Sequence, residues 1–148
     1  EKCVFQNAYD KVIQLDFKYE IQGKKKFAPD RKHKATIQLE KNEINSTISV
    51  VFYDKLGSKI KSVELLKSFQ NAMFYGKIIN KYKWFNNNEF GLYTKDEELV
   101  IKASLVENKC EVIINPKKNS LEEIQGYLRS VTFQEISNQD EIVKWVNQ

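Results

Sequence analysis

Only one histidine, two cysteines, one methionine, two prolines and five glycines occur among the 148 residues. Each scarcity excludes something. A zinc site needs several Cys or His at short spacings. His33 stands alone between Lys32 and Lys34, so no metal is expected. In that lysine-rich setting His33 reads as a solvated loop residue. A nucleophile–His pair assembled from distant residues stays open. Gly76 and Lys77 lack the upstream glycine of a phosphate-binding loop, and no cofactor is expected. No apolar run approaches the ~20 residues that a membrane-spanning helix needs. No linker and no internal repeat break the chain, so residues 1–148 read as one domain. A domain of this length buries roughly 68–70% of its unfolded surface.

The chain opens on Glu1 and its only methionine is Met73, so a processed N-terminus is expected, and with it an extracytoplasmic location, periplasmic or secreted. Cys3 and Cys110 are an even pair, which suits an oxidising compartment and a disulfide. Two buried thiols are the alternative. The sequon Asn45-Ser46-Thr47 falls on an expected turn, and it matters only for a protein of a eukaryotic secretory route.

The apolar content, 41% with 12% aromatic, is enough for a core. Val4, Phe5, Ala8, Tyr9, Val12 and Ile13 recur at helical spacing, which predicts an amphipathic helix over 3–13. Leu15, Phe17, Tyr19 and Ile21 alternate with polar residues and predict a strand with one face in the core. Residues 35–41 and 47–53 predict a hairpin around NEINS. Ser62 followed by VELLKSFQNA predicts a capped mid-chain helix with Val63, Leu66 and Phe69 on one face. Residues 73–85, 89–95, 98–106 and 110–115 predict a four-strand meander turning at NNN and ENK. Ser120 to Glu123 fits a capping box for a helix striped by Leu121, Ile124, Tyr127 and Leu128. In that helix Gly126 is expected to permit close packing on the sheet. A strand at 131–136 and a last helix from Ser137, with Ile142, Val143 and Val146 inward, complete the chain. The fold class is α+β: an antiparallel sheet of meander and hairpins, packed by short helices at both termini and one mid-chain helix.

The segment SLEEIQGYLRSVTFQEI, an amphipathic helix ending at Ser130 before Val131, Thr132 and Phe133, is similar to the closing helix–strand element of the PsbP-like and DcrB-like families. The resemblance covers about one tenth of the chain by this reading. It implies an antiparallel sheet sandwiched by helices, in proteins that are largely non-enzymatic adaptors, lipoproteins and assembly factors. The chain lacks those families' Gly/Pro-rich opening around an early hairpin, and no functional residue carries over.

Charge is unevenly placed. The stretch GKKKFAPDRKHK, residues 23–34, holds Lys24, Lys25, Lys26, Arg31, Lys32 and Lys34 against Asp30, a net of +5 in a chain of +4. Such a run is usually a solvated connector, here expected to be exposed and mobile. Its functional reading, with Phe27 in its middle, is a site that steers an acidic partner. A second candidate is the hairpin 80–93, where Tyr82, Trp84, Phe85, Phe90 and Tyr93 exceed what one sheet face absorbs. Trp84 and Phe85 are expected to touch a partner near the NNN tip; cross-strand aromatic pairing is the structural alternative. The acids Asp96, Glu97 and Glu98 read as a solvated turn, and Glu122 and Glu123 as partners of a helix dipole.

Three classes follow. The leading one is a small non-enzymatic extracytoplasmic binding protein, of the immunity, inhibitor or adaptor kind, that binds a protein partner with an acidic surface. A nucleic-acid module using the basic loop comes second. Its charge sits in one loop rather than along a face, and residues 120–148 carry a net of −3. An enzyme of unrecognised type ranks last. The disulfide is tested by mass spectrometry of unreduced, denatured protein. A bridge from Cys3 to Cys110 shows as the loss of two hydrogens; two alkylatable thiols rule it out. A bridge closing so long a loop contributes about 4–5 kcal/mol in the chain-entropy picture.

Overall fold

The computed structural model describes residues 2–14, 18–69, 81–94, 97–115, 121–129, 131–133 and 144. They form an α+β fold with two antiparallel sheets. Helix α1 (Lys2–Gln14) precedes strands β1 (Tyr19–Gln22), β2 (Lys26–Phe27), β3 (His33–Lys41), β4 (Asn45–Asp54) and β5 (Lys59–Phe69). Strands β6 (Tyr82–Trp84), β7 (Glu89–Tyr93), β8 (Leu99–Ser104) and β9 (Cys110–Ile114) follow, then helix α2 (Leu121–Arg129) and strand β10 (Val131–Phe133). The first sheet runs β1-β3-β4-β5-β10, with β2 sharing the outer edge of β3, and the second is the meander β6-β7-β8-β9. The hairpin of β3 and β4 and the meander are formed, with turns at the NNN and ENK sites; of the expected first meander strand, 73–85, residues 82–84 are strand and 73–80 lie outside the described residues.

Alternation explains how both sheets feed one core. In the first, Ala35, Ile37 and Leu39 on β3 lie opposite Phe52, Val50 and Ile48 on β4. In the second, one cross-strand row matches large with small, Phe90 opposite Ala103 opposite Cys110, and the next is aliphatic throughout, Leu92 opposite Ile101 opposite Val112. These side chains, with Ile124 and Leu128 from α2, make one hydrophobic cluster.

The expected mid-chain helix from Ser62 is strand β5 instead, and its last residues, 70–72, lie outside the described set. The cause is a bulge. Ile48 pairs with Leu66 and Ser49 with Glu64, so Leu65 is an extra residue in the ladder. A bulge resets the alternation: Val63 lies before it and Leu66 after it, and both are buried together with the bulged Leu65. Buried residues at 63 and 66 mimic helical spacing, and the pull of two flanking strands overrides the local pattern.

Three further expectations change. β1 is an edge strand whose Tyr19 and Ile21 are exposed, not a strand with a core face; Leu15 and Phe17 lie outside the described residues. A Cβ on Gly126 would meet open space, so this glycine serves no close approach. Asn45 opens β4 rather than sitting in the turn, which is residues 42–44, held by Asn42 Oδ1 accepting from the Ile44 and Asn45 amides at 2.9 and 2.7 Å. α1 forms as expected, and its Val4, Phe5, Tyr9, Val12 and Ile13 are exposed. Ser120 and the expected final helix lie outside the described residues, save Lys144, which is helical. Among the described residues no helix is long and apolar enough to cross a membrane.

Gly91 is the glycine that the packing requires. A Cβ there would overlap the Ile101 carbonyl oxygen and lie 2.5 Å from Lys102 Cα, both backbone atoms of β8. Gly91→Ala is expected to destabilise the fold by about 1–3 kcal/mol, since backbone cannot step aside as a side chain does. Urea unfolding of the two proteins measures it, and an unchanged midpoint would show that the meander tolerates wider spacing.

Candidate functional site

The two candidate regions, 23–34 and the hairpin 80–93, of which residue 80 lies outside the described residues, pack against each other. The basic stretch is a strap folded along the edge of the first sheet, not a free loop. Lys26 and Phe27 pair with Ala35 and Lys34, and His33 and Lys34 already belong to β3. Its tip is closed by the Ala28 amide donating to the His33 carbonyl and the Arg31 amide donating to the Ala28 carbonyl, both at 2.9 Å. Arg31 takes φ of 58°, the left-handed region, and Asp30 Oδ1 caps the turn by accepting from the Lys32 amide at 3.0 Å.

The aromatic hairpin holds this strap down. Trp84 Nε1 donates to the Lys26 carbonyl at 2.9 Å, and Lys26 Nζ donates to the Tyr82 carbonyl at 2.6 Å. The Tyr82 hydroxyl donates to the Lys24 carbonyl at 3.2 Å, and the Asp30 amide donates to Asn87 Oδ1 at 3.1 Å. Gly23 lets the chain pass: a Cβ there would lie 2.7 Å from the Tyr82 oxygen. Thr36 Oγ1 donates to the Gly23 carbonyl at 2.7 Å from beneath.

The rings take roles different from those expected. Phe90 is fully buried (0%) and Tyr82 is 9% exposed, so both belong to the core and present no partner surface. Trp84 is half-buried, packed edge-on against Phe90 at 5.2 Å and tilted against Phe52 at 5.8 Å. Phe85 is half-buried, with Lys83 Nζ 5.1 Å from its ring centre. Phe27 is exposed. His33 is a half-buried strand residue opposite Asp54, not a solvated loop residue, and its Nδ1 is buried without a hydrogen-bond partner.

Three of the six cations are seated on rings. Lys25 Nζ lies 3.7 Å over Tyr53, Lys26 Nζ 4.4 Å over Tyr82 and Lys34 Nζ 4.7 Å over Phe27. Phe27, Lys34, Tyr53 and Lys59 are successive cross-strand partners on β2, β3, β4 and β5. Lysine and aromatic residues thus alternate across the sheet. Gln22 Nε2 donates to the Tyr53 hydroxyl at 2.6 Å and fixes the ring of that row. Among the described residues none of Lys24, Lys25, Lys26, Arg31, Lys32 and Lys34 forms an ion pair. Lys102 on the other sheet is the contrast, gripped by Glu89 at 3.0 Å and Glu111 at 2.9 Å.

Sequence reasoning missed the end of the fold beside this strap. Four connections meet there: residues 28–32, 55–58, 85–88 and 105–109. Asp30 and Asn87 join the first to the third, and the Leu105 amide donates to the Asn88 carbonyl at 2.6 Å. Lys61 Nζ donates to the Glu107 carbonyl at 2.8 Å, bringing the fourth to β5 beside the second; burial holds this ammonium below the usual lysine range. The signal in the sequence was a bare aliphatic inside a polar turn, Leu56 in DKLGS and Val106 in LVENK.

Cys110 is buried, its Sγ 3.8 Å from the Leu65 carbonyl oxygen, and burial pushes its thiol up to about 11. A thiol so placed is slow to form the reactive thiolate. The Cys3 side chain lies outside the described residues, and no disulfide is present among them. No cluster of three or more His, Cys, Asp or Glu is arranged to hold a metal ion among the described residues. Comparison with family models, with curated proteins and with solved structures finds no match for this chain.

Trp84 is therefore expected to be a positioning residue. Trp84→Phe keeps the ring contacts and removes the bond to the Lys26 carbonyl, a loss of about 1 kcal/mol. Hydrogen exchange at the amides of residues 26–28 should then quicken about fivefold through local opening. Unchanged exchange would mean that the indole does not hold the strap.

Proposed function

We propose that the protein is a non-enzymatic binding module, of the inhibitor or adaptor kind, whose strap 23–34 engages an acidic surface on a partner protein. The observation that carries this reading is a set of six cations without an ion pair among the described residues, three of them seated on rings. The sequence places these like charges together in residues 24–34, and the fold lays them along one sheet edge without a counter-charge, which makes a local positive field. An acidic partner supplies the missing counter-charge. The rings beneath favour a protein over a nucleic acid: stacking needs an open aromatic face, and Tyr53, 7% exposed, already carries Lys25. A base would have to displace a lysine to reach it. The similarity of residues 120–136 to the closing element of adaptor families leans the same way.

Exposed charge pairs contribute about 0–1 kcal/mol each, so the strap acts mainly on encounter rate. Lys24, Arg31 and Lys32 have exposed side chains that take no part in the bonds holding the strap, so their reversal tests charge alone. With immobilised poly-L-glutamate as the acidic probe, K24E/R31E/K32E should associate at least tenfold more slowly at low salt, with a flatter salt dependence and little change in dissociation. An unchanged association rate would make the strap a plain connector. Tighter binding to oligo-dT, with a salt slope of about −0.7 per contacted phosphate, would replace the protein partner with single-stranded nucleic acid.

A further inference from the structure

The end of the fold where the four connections meet carries two large aliphatic side chains in water. Leu56 is 91% exposed and Val106 is 75% exposed. Turn positions favour Gly, Asn, Asp, Ser and Pro, each for a backbone reason. Neither Leu56 nor Val106 serves such a reason, because their turns are closed by other residues. In the first, Asp54 Oδ1 accepts from the Gly57 and Ser58 amides at 2.7 and 2.8 Å, and Gly57 supplies the left-handed step with φ of 102°. The Ser58 amide foremost, with that of Gly57, holds the Asp54 carboxyl below the usual range. In the second, Ser104 Oγ accepts from the Val106 and Glu107 amides at 3.2 and 3.1 Å. Both aliphatics are therefore held out on fixed backbone.

Their surroundings identify the occupant. Arg31, Lys32, Lys55 and Lys109 stand on the same connections and outnumber Asp30 and Glu107. Lys61 bonds both to the Glu107 carbonyl and, at 3.4 Å, to Asn108 Oδ1, so the Val106 turn is tied to the sheet that bears Leu56. The 28–32 tip is itself the end of the basic strap, so the aliphatic pair continues the strap's surface. Single exposed aliphatics are ordinary; two on hydrogen-bonded turns at one end of the fold, among more cations than anions, have the layout of an interface, an apolar centre with a polar border.

We infer that this end of the fold is a docking face for a protein partner that is apolar at its centre and acidic at its rim, with Leu56 and Val106 as the anchoring side chains. The inference rests on the acidic-partner reading of the strap and extends it. The strap gives encounter, and the aliphatic pair gives residence.

Two polymers separate the parts: poly-L-glutamate, which offers charge alone, and a Glu–Tyr copolymer of equal length, which adds apolar rings. Wild-type protein should bind the copolymer about tenfold more tightly, the scale of partly burying two aliphatic side chains. L56S/V106S should lose that advantage and keep its binding to poly-L-glutamate, with its melting temperature unchanged because both sites are exposed turns. Equal binding of the two polymers by wild type, or an advantage retained in L56S/V106S, overturns the docking face and leaves the acidic-partner reading standing. Poly-L-glutamate binding retained by K24E/R31E/K32E overturns the acidic-partner reading, whatever the aliphatic pair does. Sedimentation of wild type as a dimer that L56S/V106S abolishes would make the occupant a second copy of the chain and overturn the proposal.

Discussion

A reciprocal clasp of hydrogen bonds joins the edges of the two sheets, and the placement of every candidate residue depends on it. The Trp84 indole reaches the carbonyl of Lys26, while the Lys26 ammonium reaches back to the carbonyl of Tyr82, two residues earlier on the same strand. The Tyr82 hydroxyl closes a third link to Lys24. Backbone carbonyls at a sheet edge need partners wherever water is thin. Here the side chains of one edge satisfy the backbone of the other. The strap is short, its two-residue strand gives little pairing of its own, and its like charges resist compaction. Without the clasp it would be the loose connector that its composition describes.

Much of the fold was legible because its signals are local. The meander follows from alternation in 89–95, 98–106 and 110–115 together with Asn-rich and Asn-Lys turns. At NNN, Asn86 Oδ1 accepts from the Asn88 and Glu89 amides at 2.8 and 2.9 Å, which is the reason asparagine suits such a site. β5 was misread because its bulge sets Leu65 and Leu66 toward the same core, and no single period describes that pattern. Whether VELLKSF coils or extends is decided by β4 and β10 on either side, which a local window does not contain.

The site was legible in pieces. Six cations and five aromatics were visible, but residues 24–30 meet 82–87 across more than fifty positions of sequence, and composition is silent on such a meeting. The aromatic excess that pointed toward a partner has an internal explanation: Phe90 fills the core, Tyr82 and Trp84 brace the strap, and the Lys83 ammonium lies near the two remaining rings, Phe85 and Tyr93. Leu56 and Val106 escaped notice because each is one ordinary residue in a short turn, and only the convergence of the turns gives them meaning.

Lysines resting on rings have a thermodynamic consequence for recognition. A lysine free in solvent samples many rotamers, and immobilising it at an interface costs about 0.5–1.5 kcal/mol. Lys25, Lys26 and Lys34 have already surrendered part of that freedom, since each ammonium lies within 4.7 Å of a ring centre. The attraction to the ring, about 0.5–1 kcal/mol where exposed, offsets this loss during folding rather than during association. Half of the strap's charges are thus preorganised: these three are held in a pattern before anything arrives, so a partner must match that pattern in space and not merely in sign.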